Sequence, residues 1–103
     1  MKIITAGHKY ELANLASDTT QTLQFVEKQP IPGDPSGKLQ TVTDGTTNEE
    51  VLQVLIDRMK FLQGKVACPE NAKAIGALEQ ALLWLRNRTA HRQARSVEGT
   101  SRA

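Results

Sequence analysis

The sequence predicts an α+β chain: a small N-terminal antiparallel β region, then a long antiparallel two-helix hairpin that assembles as an oligomer. Three observations carry this expectation. The first 45 residues alternate over short runs and are broken by proline and glycine, which is strand-and-turn patterning. Two later segments repeat apolar residues at spacings of four and three, the stripe of a helix that packs on a neighbour. A short breaker, Val66-Ala67-Cys68-Pro69, joins those segments and turns the chain back on itself. The expected organisation is residues 1–45 as the β region with its Pro/Gly loop and 46–103 as the helical hairpin, together forming one compact unit.

Residues Lys2 to Gln29 favour strands. A β-hairpin is expected with roughly Lys9–Leu15 pairing with Thr22–Gln29, the segment TLQFVEK included. The polar run Asn14 to Thr20 supplies the turn. PIPGDPSGK holds three of the four prolines and reads as a loop. LQTVT is a candidate third strand, closed by an Asp44-Gly45 turn. These strands carry too few large apolar residues for a core of their own.

The first helix opens at TTNEE, where Thr47 and Glu50 have capping-box spacing. Its stripe is Leu52, Leu55, Met59, Leu62 and Val66. The second helix is expected from Cys68 to Gly99. Pro69 suits the first helical position, where its missing N–H costs nothing, and Glu70 suits the positive end of the helix dipole. Asn71, Ile75, Leu78, Leu82, Leu85 and Thr89 form its stripe. Each buried Leu or Met contributes about 1.5–3 kcal/mol, which makes the hairpin the stable part. Ala74, Ala77, Ala81 and Trp84 form a second, weaker apolar face, and Trp84 is expected in an interface. Two helices leave much apolar surface open, hence the oligomer.

Composition narrows the function. A chain of 103 residues with net charge +2 is too weakly basic for a DNA-coating protein. Its lone cysteine, Cys68, excludes an intrachain disulfide framework and suits a reducing compartment. The start MKIITAGHKYE has no apolar h-region, and no run is long enough to span a membrane. A cytoplasmic protein is expected. Catalytic and cofactor signals are missing. Cys68 and His91 would lie roughly 35 Å apart along one helix. Two histidines form no metal-ligand motif, and Gly33 and Gly37 lack the Lys-Ser/Thr of a phosphate loop.

What remains is a run of arginines at the end of the second helix: Arg86, Arg88, Arg92 and Arg95, with His91 among them and no acid between Glu79 and Glu98. Arg88, Arg92 and Arg95 are spaced four and three apart and share a face. Such a run is also what a solvated helix C-terminus attracts. Three cations on one face repel each other unless an anion joins them, and guanidinium forks match phosphate oxygens. Anion binding is therefore the preferred reading. A small arginine-rich nucleic-acid-binding regulator is the alternative, disfavoured by the modest charge and the lack of a short turn before a recognition helix.

The segments GHKYELANL, TLQFVEK, DGTTNEEVLQVLIDRM, CPENAKAIGALEQALLWL and NRTAHRQARSVEG together resemble the Thoeris anti-defence sponge, first type, of bacteriophages. A related hairpin domain occurs in the phage anti-CBASS sponge. The resemblance implies a non-enzymatic protein without cofactor or metal, acting in the infected host cell. It implies capture of glycocyclic ADP-ribose without cleavage, and some members of the family also bind cyclic di- and trinucleotides. It also implies homo-dimers and hexamers built as trimers of dimers, with no membrane or nucleic-acid polymer as partner. By motif, Phe61 would stack an adenine, Asn71 would hydrogen-bond the ligand, and Arg88 and Arg92 would hold the pyrophosphate. His91 and Arg95 flank that anion site. His91 stands where the family pattern has Asp, and Ser96 where it has Gly. Arg88 lies 17 residues beyond Asn71 (88 − 71), about 26 Å along a helix axis. A pocket using all four residues is therefore expected to draw on two chains.

Overall fold

The computed structural model describes residues 1–95 and Thr100. The expected helix end at Gly99, together with Ser96 and Glu98, lies outside the described residues. The chain divides into two compact units, Met1–Thr47 and Asn48–Ala103. Among the described residues the first holds five strands and the second two helices, so the fold is α+β.

In the first unit, β1 (Lys2–Thr5), β2 (Lys9–Ala13) and β3 (Thr20–Gln24) form an antiparallel sheet in that order. The β1–β2 turn is tight, and Gly7 takes φ 76, where a side chain is strained. Tyr10 sits opposite both Ile3 and Leu23, and its ring meets Phe25 edge-on at 5.9 Å. Such a T-shaped pair is the favoured aromatic arrangement. Asn14 closes the β2–β3 turn: its amide nitrogens reach Thr19 O at 3.1 Å and Thr19 Oγ1 at 2.8 Å.

The expected hairpin is present as β2 and β3, but the expectation of one strand through TLQFVEK is corrected. β3 stops at Gln24, and a separate two-stranded sheet begins at β4 (Glu27–Pro30), which pairs with β5 (Leu39–Thr43). The physical reason lies at Phe25 and Val26. Phe25 N still donates to His8 O at 2.7 Å, while Val26 N donates to Thr46 O and Thr46 N to Gln24 O, each at 2.9 Å. The backbone thus changes partner in mid-run. Gly45 makes this possible: a Cβ there would lie 2.6 Å from Gln24 O and from the Phe25 carbonyl carbon. The LQTVT strand exists as β5, yet it joins β4 rather than the hairpin. β1 is a strand that the alternation did not isolate. The loop between β4 and β5 falls on PIPGDPSGK as expected, with Asp34 Oδ1 accepting from Ser36 N at 2.9 Å and Ser36 Oγ at 2.7 Å.

In the second unit, α1 (Asn48–Lys65) packs against α2 (Pro69–Ala94). Glu49 and Glu50 occupy the first turn of α1. Cys68 caps α2 in extended conformation, its Sγ accepting from Asn71 N at 3.4 Å, with Pro69 next. The bend is closed by a reciprocal pair: Gln63 Nε2 donates to Cys68 O at 3.2 Å, and Cys68 N donates to Gln63 Oε1 at 3.1 Å. Across the helices, Lys60 Nζ lies 3.5 Å from Glu79 Oε2.

The stripe expected for α2 faces inward; every member from Asn71 to Thr89 is buried or half-buried. The stripe expected for α1 needs correction. Leu55 and Val66 are exposed, and Ile56 is the buried residue instead. Val51, Leu52, Val54, Leu55 and Ile56 crowd together, so apolarity alone cannot choose the face. Ile56 lies on the side of α1 that also carries Lys60 and Gln63, which pair with Glu79 and Cys68. Among the described residues only Ile56 and Leu82 form a buried apolar core, while Leu83, Trp84, Val54 and Phe61 are at least half exposed. No helix among the described residues is long and apolar enough to cross a membrane.

Candidate functional site

The six candidate residues fall into two groups at opposite ends of the second unit. Phe61 and Asn71 lie by the bend. Phe61 is in the last turns of α1, 57% exposed, with Lys65 Nζ over its ring at 5.3 Å from the centroid. Asn71 is half-buried in the first turn of α2, at the head of the inward stripe. Its position is set by the Cys68 thiol on its backbone N–H.

Arg88, His91, Arg92 and Arg95 lie at the other end, in the last turns of α2 and its C-cap. They are not equivalent. Arg88, His91 and Arg95 are exposed, whereas Arg92 is only 5% exposed. Its Nη2 donates to the Thr100 carbonyl at 2.9 Å. Arg92 continues the inward stripe one turn past Thr89, which explains its burial. Arg95 ends the helix, its N–H returning to His91 O at 3.1 Å. Within one chain, the bend and the arginine end are about 26 Å apart along α2. The chain alone brings Phe61 near Asn71, and Arg88 near Arg92, but not the two groups together.

Two open surfaces lie along the helices, and only the second includes a residue of the bend group, Phe61. A groove of about 540 Å³ runs between the helices over Ile56 and Leu82, rimmed by Asp57, Lys60, Glu79 and Arg86. A shallower surface on α1 is lined by Gln53, Val54, Asp57, Arg58 and Phe61. Among the described residues, no group of three His, Cys, Asp or Glu side chains gathers that could hold a metal ion.

The profile of the Acb2/Tad1 hairpin domain matches residues 26–90 of this sequence. The chain belongs to the Acb2/Tad1 hairpin family. A relative named Thoeris anti-defense 1, from Bacillus phage SBSphiJ7, is 42% identical over 79 residues, covering 65% of this chain and 56% of that protein. The chain thus spans little more than half the length of that relative. The Acb2/Tad1 hairpin match begins at Val26, where the backbone changes sheets, and it takes in β4, β5, α1 and most of α2. The β1-β2-β3 sheet lies outside it.

Sequence reasoning missed two residues of this hairpin. Gln63 closes the bend, yet only its place five residues before Cys68 hints at that. Lys65 covers the Phe61 ring, and the signal was present: an aromatic and a cation four residues apart on a helix meet on one face.

Proposed function

We propose that this chain is an anti-defence sponge that captures a cyclic nucleotide immune signal, glycocyclic ADP-ribose, and holds it uncleaved. The Thoeris effector is then left without its trigger. Cyclic di- and trinucleotides belong to the same ligand class. The observation that carries the reading is that a hairpin of the Acb2/Tad1 family presents an exposed ring, Phe61, by its bend and an exposed guanidinium, Arg88, towards its other end. A base stacked on an aromatic ring contributes about 1–3 kcal/mol. A charge-assisted hydrogen bond contributes about 1.5–3 kcal/mol. Two of each, less the ordering cost, support affinities from micromolar to nanomolar.

The sponge works as a homo-oligomer, a dimer or a hexamer built as a trimer of dimers. Support comes from the small interior of the hairpin and its large exposed side chains, Trp84 at 64% exposure among them. In this assembly, Phe61 and Asn71 of one chain meet Arg88 and Arg92 of another, with His91 and Arg95 beside them. Capture needs no catalytic group. It takes place in the cytoplasm of the infected cell.

The test is release. The protein is incubated with glycocyclic ADP-ribose, freed of excess ligand and heated, and the supernatant is analysed by chromatography. Intact ligand in stoichiometric amount supports the sponge. A cleaved product means an enzyme, and retention of duplex DNA in place of the small ligand means the nucleic-acid regulator.

A further inference from the structure

We propose that Lys65 is a phosphate-directing residue of the Phe61 site, supplied by the same chain as the ring; this rests on the cyclic-nucleotide reading above. Lys65 is the last residue of α1, and its ammonium stands 5.3 Å from the Phe61 centroid. Both side chains are exposed. Among the described residues Lys65 makes no ion pair, whereas its helix neighbour Lys60 is held by Glu79. A cation at that distance from an aromatic face is favourable but weak where water reaches it. It is held near the ring without being committed to it.

The surroundings suit a stacked nucleotide. Val54 and Phe61 are exposed along one side of α1 and line one open surface with Arg58. One face of the ring is covered by the ammonium, which leaves the other for a base. The four-carbon stem of lysine lets the ammonium swing past the ring edge onto a phosphate of a ligand stacked there, as a compact charge with three donors. In that reading the arginine end comes from another chain, with Arg88 as its exposed guanidinium, while Lys65 comes with Phe61. Each bend then carries both a stacking surface and a cation, so it can engage the ligand before the arginines close on it.

The opposing explanation is that Lys65 only favours the helix C-terminus through the dipole. The two accounts differ in sign. If Lys65 merely covers the ring, removing it unblocks Phe61 and binding stays equal or tightens. If it directs the phosphate, binding weakens.

The experiment measures glycocyclic ADP-ribose affinity by titration calorimetry for wild type, Phe61→Ala, Lys65→Met, Lys65→Arg and Lys73→Met. The last is a charge control on α2. Lys65→Met is expected to weaken binding by about ten-fold, the scale of one charge-assisted hydrogen bond. Lys65→Arg restores most of the loss, and Lys73→Met matches wild type. Lys65→Met chains mixed with Arg88→Ala/Arg92→Ala chains regain sites; mixed with Phe61→Ala chains they do not. If wild type binds and Phe61→Ala does not, but Lys65→Met binds as well as or better than wild type, the role of Lys65 is overturned and the sponge reading stands. An equal loss in Lys73→Met overturns it as well. If wild type fails to bind, both readings fall.

Discussion

Gln63 and Cys68 exchange two hydrogen bonds across the bend of the hairpin, the side-chain amide of one serving both backbone groups of the other. A turn this short leaves backbone donors and acceptors without helical partners, and Gln63 satisfies two of them. Gln63→Ala is expected to destabilise the hairpin by about 1–2 kcal/mol. Gln63→Glu, which keeps the acceptor and loses the donor, should fall between. Urea titration followed by the fluorescence of Trp84, at fixed protein concentration, checks the order.

Gly45 has no room for a side chain. A methyl group there would press on backbone atoms of Gln24 and Phe25 at 2.6–2.8 Å, and backbone yields less readily than a side-chain tip. Gly45→Ala should cost about 1–3 kcal/mol and speed amide exchange at Val26 and Thr46. Protection at those two amides equal to wild type would refute the close approach.

Gly76 is the opposite case. It lies within α2 with nothing within 4 Å of a Cβ. Gly76→Ala is expected to raise stability by about 1 kcal/mol through helix propensity alone. Loss of stability together with a smaller assembly on sizing chromatography would place a partner chain against that residue.

Arg88 and Arg92 should separate in their effects. Arg88 is exposed, so Arg88→Ala is expected to weaken ligand binding and leave the melting temperature unchanged. Arg92 is buried and bonded to the Thr100 carbonyl. Arg92→Ala should therefore lose binding and also about 1–3 kcal/mol of stability, since a buried side chain and its hydrogen bond to a half-buried carbonyl are both lost. Mixing Phe61→Ala chains with Arg88→Ala/Arg92→Ala chains should restore part of the binding. No recovery would argue against a pocket shared between chains.

Acid should loosen the β4–β5 loop. The Ser36 hydroxyl, then the Ser36 backbone N–H, hold the Asp34 carboxyl below its ordinary value of 3.8, and Lys38 adds to this. The folded state therefore favours the charged form. Its contribution is fully present above pH 3.8 and is lost as pH falls through the lower folded value. Asp34→Asn should remove that part of the pH dependence. Backbone NMR shifts of Ser36 and Lys38, followed from pH 5 to pH 2 in both proteins, report it.

The sequence made the second unit legible because its signals are local and agree. Pro69, the α2 stripe and the breaker around Cys68 each mark the same hairpin. The face of α1 was legible in part: Leu52, Met59 and Leu62 are half-buried as expected, but Leu55 and Ile56 are equally apolar and it is Ile56 that is buried. The first unit was legible only as strands and turns. The alternation in TLQFVEK ends at the adjacent Phe25-Val26 pair, but the partner taken there, Thr46, lies 20 residues further on (46 − 26). At the candidate site, spacing put Arg88, Arg92 and Arg95 together at the end of α2, yet Arg92 turns inward while Arg88 and Arg95 are exposed. The burial of Arg92 follows from its place three residues past Thr89 on the inward stripe, which grouping the arginines by charge concealed.

The hydrogen bonds at Thr46 bear on how such proteins are trimmed for study. The family match starts at Val26, yet the acceptor for Thr46 N is the carbonyl of Gln24, two residues upstream. Recombinant fragments cut at the edge of kinship would strip that donor of its acceptor and leave Gly45 facing a gap. Ancestry and cooperative folding draw their borders at different places in this chain.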